Sequence, residues 1–324
     1  MYASKQILEM VEQALASLPY DRKPEGLYDP VRYVLSLGGK RIRPVLMLMG
    51  YNLYRDDVES IIMPALGLET YHNYTLLHDD LMDRADVRRG HPTVHRKWNE
   101  NAAILSGDSM LVLAYQRMAQ CDRALLPQVM ELFTETALEI GEGQQYDIEF
   151  ETRNDVTEDE YIEMIRLKTS VLLACALKLG AILAGAPAKD ADVLYEFGEQ
   201  IGLAFQLQDD YLDVYGDFKT FGKRIGGDIL CNKKTYMLIN AQLRANDVQR
   251  AELEKWLAAT DYVEEEKIKG ITHLYDEIGI PQVARQKIEY YYSLAEKSLA
   301  KVSLPAEKKQ LLWEYAQKML NRQS

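Results

Sequence analysis

Apolar and polar residues recur with a helical period along the whole chain, and this feature limits the fold more than any other. We find no run of alternating β-branched residues bounded by turn residues, the pattern that a half-buried strand produces. The segment from Ile162 to Leu183 is apolar on nearly every side, which is typical of helices inside a large bundle. The sequence therefore predicts an all-α fold.

Nothing in the sequence divides the chain. Linkers rich in Pro, Gly or Ser are absent, no segment of about 20 to 50 residues repeats, and the longest candidate loop is 217–234. Local helix starts are marked, for example by Asp29 as N-cap and Pro30 as the first helical residue. We expect a single domain covering residues 1–324.

Composition and charge exclude several classes of protein. The net charge of -12 opposes binding to nucleic acid, so an anionic ligand would need a local group of cations. Three widely spaced cysteines indicate neither a disulfide framework nor a thiolate metal site. Neither a membrane span nor a signal-peptide core is recognisable, so a cytoplasmic location is expected.

Two acidic clusters have the spacing of one helix face. Residues three, four and seven apart lie on the same side of a helix, and His72 and Gln206 extend the two stripes. The clusters read Asp79-Asp80-x-x-Asp83 and Asp209-Asp210-x-x-Asp213. Crowded carboxylates repel one another unless a divalent cation neutralises them, and Mg²⁺ binds one or two carboxylates together with phosphate oxygens. Two such clusters on apolar helices predict a magnesium site rather than a solvated surface.

Groups of cations accompany the acidic clusters. The turn from Gly38 to Pro44 carries Lys40, Arg41 and Arg43 between two predicted helices, where free backbone N–H groups also favour anions. Arg88 and Arg89 follow the first acidic cluster, and guanidinium groups match phosphate oxygens in pairs. Further cations occur later in the chain: Lys168 in an apolar helix, then Lys223 and Lys233. The cations predict sites for diphosphate groups.

At this point the sequence resembles the trans-isoprenyl diphosphate synthases, the polyprenyl synthetase family, from about Leu35 to about Lys234. The segments that carry the resemblance are Gly38 to Pro44, His72 to Gly90, Gly143-Gln144-x-x-Asp147, Lys168-Thr169, Phe205-Gln206-x-x-Asp209-Asp210-x-x-Asp213, and Gly222-Lys223 through Asp228 to Lys233. The resemblance implies an isoprenoid-synthase bundle around a deep central cavity, with the aspartate clusters facing each other across its mouth, and a homodimer.

The resemblance also implies a role for each matching residue. The aspartates that would coordinate magnesium, three ions when substrate is bound, are Asp79, Asp83 and Asp209, while Asp80, Asp210 and Asp213 complete the catalytic clusters. The groups that would bind the allylic diphosphate are Arg88, Lys168, Lys223 and Lys233. Those that would hold isopentenyl diphosphate are Lys40, Arg43, His72 and Arg89. Thr169 and Gln206 would line the reaction centre.

The implied reaction joins isopentenyl diphosphate to dimethylallyl, geranyl or farnesyl diphosphate. Metal ions and cations would neutralise the leaving diphosphate, the allylic C–O bond would ionise, and the isopentenyl double bond would attack the cation. In the resembled family the residue five positions before the first aspartate limits the chain length. That residue is Tyr74, followed by the small Thr75. A short product, farnesyl or geranylgeranyl diphosphate, is favoured, with a longer polyprenyl diphosphate as the alternative.

Three other readings compete. Terpene cyclases also ionise allylic diphosphates, but they need no second substrate site such as Lys40 and Arg43 would form. A di-iron bundle would use two Glu-x-x-His motifs, whereas this chain has one, at Glu69 and His72. A non-catalytic regulatory subunit would have eroded aspartate clusters, and both are intact.

Overall fold

The computed structural model describes residues 1–216 and 225–320. Contacts between residues divide the chain into two compact units. The first unit contains residues 1–134, 175–194 and 303–312, and the second contains 135–174, 195–302 and 313–324. The prediction of one domain over the whole chain, and that of a deep cavity, stay predictions.

The described residues are helical apart from connections and one short hairpin, which confirms the all-α prediction. The first helices are α1 (Ser4–Ala16), α2 (Glu25–Ser36), α3 (Ile42–Asn52), a 3₁₀ turn (Val58–Ile61), α4 (Ile62–Met82), α5 (Val94–Lys97) and α6 (Glu100–Met118). The middle helices are α7 (Leu126–Thr152), α8 (Glu158–Ile165), a π-helix (Arg166–Ser170), α9 (Val171–Leu183) and α10 (Ala188–Tyr215). The last are α11 (Gly227–Leu230), α12 (Tyr236–Arg244), α13 (Asp247–Ala258), α14 (Glu264–Ile278), α15 (Ile280–Lys301) and α16 (Ala306–Leu320).

The first unit packs α4 against α6 and α3, with α2 against α6. All residues of α3 from Pro44 to Asn52 are buried, because this helix is apolar around its whole circumference. The hairpin β1 (Val87–Arg88) and β2 (His91–Pro92) follows α4. This unit therefore has a helical core with one small antiparallel ribbon at the end of α4.

The second unit has its own apolar core. Most of its side chains come from α8, α10, α12, α14 and α15, and among them is Tyr161, which is 1% exposed. Most of the segment from Ile162 to Leu183 is buried, although Glu163 is exposed, and it is three elements because the π-helix interrupts it. Such π segments occur frequently at functional sites.

Two smaller expectations are settled by the fold. The predicted helix start at Asp29 and Pro30 is wrong, because α2 begins at Glu25 after Pro24. Pro30 removes one backbone hydrogen bond near the start of α2, and its buried ring gains apolar contact instead. Within the described residues, Cys121, Cys175 and Cys231 form no disulfide. None of the helices in the described ranges is long and apolar enough to cross a membrane.

Candidate active site

The first aspartate cluster lies at the carboxyl end of α4. Asp79 and Asp80 belong to its last turn, and Asp83 is the residue after the helix, where its N–H donates to Asp79 O at 2.9 Å. Asp80 is 5% exposed and lies 2.7 Å from the Arg88 guanidinium, which is 3.5 Å from Asp79. Burial raises the pKa of Asp80, and Arg88 opposes that shift. The predicted proximity of this cluster to Arg88 is what the structure shows.

The hairpin after α4 sends its two arginines to different partners. Its turn residues, Arg89 and Gly90, have φ angles of 54° and 78°, which is the geometry of a two-residue type I′ turn. Arg88 contacts the first cluster, whereas Arg89 donates to Gly38 O and lies 3.5 Å from Asn73 Oδ1. The Arg89 guanidinium packs closely against Gly39: a Cβ atom at this position would lie 3.0 Å from the guanidinium carbon. The absence of a side chain at Gly39 therefore leaves room for Arg89.

A group of desolvated cations surrounds the start of α3. Arg43 Nη1 is 3.1 Å from His72 Nε2. Burial lowers the pKa of Arg43 to about 10, and burial with four nearby arginines lowers the pKa of His72 well below its usual value. His72 is therefore neutral and accepts from Arg43. In the described part of the chain, Arg43 Nε is buried without a hydrogen-bond partner, a vacancy that an anionic ligand would fill. Lys40 is exposed in the adjoining turn.

The second aspartate cluster lies near the end of α10, in the second unit. Asp210 is 5% exposed; it accepts a short hydrogen bond from Tyr161 Oη and another from Gln206 Nε2 at 3.2 Å. Burial raises the pKa of Asp210 to about 7, with Asp228 adding to the shift. Asp213 is also buried, and its Oδ2 accepts from the backbone N–H of Asp228 at 3.0 Å. Hydrogen bonds from the protein therefore fix the carboxylates of Asp210 and Asp213.

Lys168 lies in the π-helix and pairs with Asp147, a carboxylate for which the sequence predicted no role. Its Nζ is 2.6 Å from Asp147 Oδ2, and Lys233 Nζ is 3.8 Å from the same oxygen. Lys168, Lys233 and Asp147 therefore form one cluster, as the shared ligand predicted for the two lysines requires. Lys223, which was assigned to the same diphosphate, lies outside the described residues.

Thr169 and Gln206, the two residues predicted to line the reaction centre, are in contact. Thr169 Oγ1 donates to Gln206 Oε1 at 3.3 Å, while Gln206 Nε2 donates to Asp210. The carboxylate thereby fixes the orientation of the Gln206 amide, with its oxygen toward Thr169. Sequence spacing placed Gln206 and Asp210 on one helix face, but the contributions of Thr169 and Tyr161 need the tertiary structure.

The predicted chain-length residues lie in the middle of α4. Tyr74 stacks edge-on against His78, with ring centroids 4.9 Å apart, and contacts Tyr71 at 5.5 Å. Phe133 contacts Tyr71 in turn, at 5.3 Å. Thr75 Oγ1 donates to the His72 carbonyl at 2.8 Å. In the first unit, Tyr74, Tyr71 and Phe133 therefore form a row of aromatic rings, each in contact with the next.

The carboxylates of the two clusters have the chemistry that magnesium requires of its ligands. Within residues 1–216 and 225–320, no group of three or more His, Cys, Asp or Glu side chains forms a metal site by itself. The predicted ligands Asp79, Asp83 and Asp209 supply hard carboxylate oxygens, and Mg²⁺ commonly combines one or two of these with phosphate oxygens and water. The chemistry of the donors fits magnesium that binds together with a diphosphate.

The all-α fold and the two aspartate clusters with cations near them are features of isoprenoid diphosphate synthases. The polyprenyl synthetase family model matches residues 24–275, and the chain belongs to that family. It is 42% identical over 233 residues to a geranylgeranyl diphosphate synthase of Methanosarcina mazei, covering 71% of this chain and 72% of the relative. It is 38% identical to a short chain isoprenyl diphosphate synthase of Methanocaldococcus jannaschii, covering 83% and 81%. A crystal structure of a geranylgeranyl pyrophosphate synthase superposes with a TM-score of 0.94 at 42% identity, with both chains fully covered.

Proposed function

We propose that the protein is a magnesium-dependent, short-chain trans-prenyltransferase that joins isopentenyl diphosphate to an allylic diphosphate and makes mainly geranylgeranyl diphosphate. The observation that carries the proposal is the Arg88 guanidinium 2.7 Å from Asp80, which places a phosphate-binding group against a carboxylate cluster. The relatives named as geranylgeranyl diphosphate synthases support the product. A cytoplasmic location is part of the proposal.

Two separate groups of side chains bind the two substrates. Arg88, Lys168 and Lys233 bind the allylic diphosphate, and Arg43 with its unpaired Nε holds isopentenyl diphosphate together with the neutral His72. The remaining ligands of that second diphosphate are Lys40 and Arg89. Asp79, Asp83 and Asp209 would hold magnesium, which would supply positive charge to the leaving diphosphate.

Two oxygen atoms are placed to stabilise the allylic cation. Asp210 accepts from the Gln206 NH₂ group, so the Gln206 carbonyl oxygen is turned toward Thr169, and the Thr169 hydroxyl keeps its lone pairs available. Preorganised dipoles of this kind favour a developing positive charge without reorganising during the reaction. The released diphosphate takes the final proton, so no protein base is required.

The length of the product is limited by Tyr74. The ring lies five residues before Asp79, which is about 7.5 Å along the helix. His78 and Tyr71 pack against it and hold it in place. A growing chain that reaches this ring meets an aromatic wall, which supports a short product.

We further propose that the enzyme is a homodimer. On α6, Leu105 is 58% exposed and Val112 is 68% exposed, and these two residues are seven apart, on one helix face. Both border a surface groove that Leu27 and Tyr28 of α2 also line. Apolar surface of this kind commonly marks a contact between proteins. Leu105→Asp should convert the dimer to a monomer in sedimentation analysis, whereas Leu243→Asp, at another exposed leucine, should not.

The enzyme activity is tested by incubating purified protein with Mg²⁺, isopentenyl diphosphate and dimethylallyl, geranyl or farnesyl diphosphate, followed by chromatography of the products. Asp79→Ala and Asp209→Ala should each lower turnover at least ~100-fold, because each removes a ligand of the charge-neutralising metal. The control Asp261→Ala alters an exposed aspartate and should keep wild-type turnover. Wild-type turnover in Asp79→Ala or Asp209→Ala, with an unchanged melting temperature, would contradict the metal assignment.

A further inference from the structure

Glu69 begins the Glu-x-x-His motif that ends at His72, and the proposed reaction gives Glu69 itself no role. It lies on α4 and is 1% exposed. Its Oε1 accepts from Arg41 Nη1 at 2.8 Å and from Asn73 Nδ2 at 2.9 Å. A carboxylate this deeply buried is stable only when paired and hydrogen-bonded, and Glu69 is both.

Arg41, the partner of Glu69, determines the path of the turn that carries two predicted substrate ligands. Its φ angle is 47°, in the left-handed region that residues with a side chain rarely adopt. Besides Glu69 it binds Leu35 O and Glu12 Oε1, each at 2.8 Å. These bonds hold the backbone at Arg41; Lys40 directly precedes this residue, and Arg43 follows it two positions later.

Asn73 connects Glu69 to a third substrate ligand. Because its NH₂ group donates to Glu69, its amide oxygen is turned the other way and lies 3.5 Å from Arg89 Nη1. Glu69 also opposes the lowering of the pKa of Arg43 and of Arg89, whose main cause is burial. One carboxylate thus acts on cations from the turn before α3 and from the hairpin after α4.

We infer that Glu69 is the internal counter-ion of the isopentenyl diphosphate site: it does not touch the substrate but, through Arg41 and Asn73, positions the cations that bind it. The inference rests on the proposed function, which assigns Lys40, Arg43, His72 and Arg89 to that substrate. It makes Glu69 a positioning residue, and it predicts a defect in one substrate only.

The main test is the double variant Arg41→Met with Glu69→Met. Replacing a buried ion pair by apolar side chains of similar size is often neutral for stability, so the variant should fold. Its KM for isopentenyl diphosphate should rise about tenfold or more, since a charge-assisted hydrogen bond to the substrate is weakened. The KM for the allylic diphosphate should stay within about twofold. Titration calorimetry with isopentenyl diphosphate in EDTA should show the same loss of affinity without turnover.

A second variant distinguishes two effects of Glu69: positioning of the cations, and electrostatic repulsion of the substrate by its negative charge. Glu69→Gln keeps the shape and one acceptor but removes the negative charge next to the cations. If Glu69 acted only by repelling the substrate, the KM for isopentenyl diphosphate would fall, and the inference would be wrong. We expect it to rise in Glu69→Gln and to rise further in Glu69→Ala.

The control is Asp190→Ala, which removes another buried carboxylate of the first unit, bonded to Tyr54 and Ser303. It should lower the melting temperature and leave both KM values unchanged. A wild-type KM for isopentenyl diphosphate in the double variant, or equal increases in both KM values, would overturn the inference. Failure of the proposed function would be seen separately, as a wild-type protein that consumes no isopentenyl diphosphate.

Discussion

Two glycines of α7 provide a sharp test of how the π-helix is positioned. At Gly143 an added Cβ would lie 2.4 Å from Lys168 N and 2.8 Å from Leu167 C, whereas at Gly141 it would meet nothing within 4 Å. Gly143 is buried and Gly141 is exposed. Alanine is preferred over glycine inside a helix by about 1 kcal/mol, and this gain applies to both substitutions.

Gly143→Ala should nevertheless be destabilising. Ordinary contact with a Cβ atom begins near 3.4 Å, so backbone atoms must move by about 1 Å, and overpacking of this kind costs ~1 to 3 kcal/mol. We expect a net loss of up to ~2 kcal/mol for Gly143→Ala and a gain of ~1 kcal/mol for Gly141→Ala, both measured by urea unfolding. Since Lys168 and Thr169 would move with the π-helix, turnover of Gly143→Ala should fall ~100-fold.

The outcome that would refute this reasoning is specific. If Gly143→Ala is as stable and as active as Gly141→Ala, the close approach of α7 to the π-helix does not hold Lys168 in place. A stability loss without an activity loss would show that Lys168 and Thr169 tolerate the shift, and their positioning would then need another explanation.

Two further predictions concern Asp210 and Tyr74. In the metal-free protein, which EDTA maintains, burial raises the pKa of Asp210 to about 7. This exceeds the usual value of about 3.9, so its ionisation makes the folded state less stable as the pH rises from about 4 to about 7. Asp210→Asn should therefore raise the free energy of unfolding of the metal-free protein by about 4 kcal/mol above pH 7 and leave it unchanged below pH 4. Equal changes in this free energy at pH 4 and pH 8, measured by urea unfolding, would disprove the prediction. Tyr74→Ala should lengthen the products seen by chromatography, and an unchanged product profile would exclude the ring as the floor.

Local sequence patterns predicted the helices and the residues on them. The spacing of Asp209, Asp210 and Asp213 placed them on one helix face, and they lie on α10. Periodicity succeeds here because the side chains of one turn are fixed by the helix itself. The Pro30 prediction failed because a proline signals a helix start only weakly, and burial of its ring outweighed the lost hydrogen bond.

Contacts between distant segments could not be predicted in the same way. Asp147 is 21 residues from Lys168, and Glu69 is 28 residues from Arg41. Nothing in the local pattern distinguishes these carboxylates from the other acidic residues of the chain. A useful signal was present for Lys168, since a lysine in an apolar helix requires an anion, and Asp147 is that anion in the absence of substrate.

The hairpin after α4 has a consequence for how the sequence can vary. Arg88 and Arg89 are neighbours, yet the two-residue turn directs one to the carboxylates of Asp79 and Asp80 and the other to the carbonyl of Gly38. An insertion or deletion of a single residue here would exchange or misdirect the two guanidinium groups, whatever amino acid was involved. A change in the length of this ribbon should therefore disturb the site more than a substitution at a residue other than Arg88, Arg89 and Gly90.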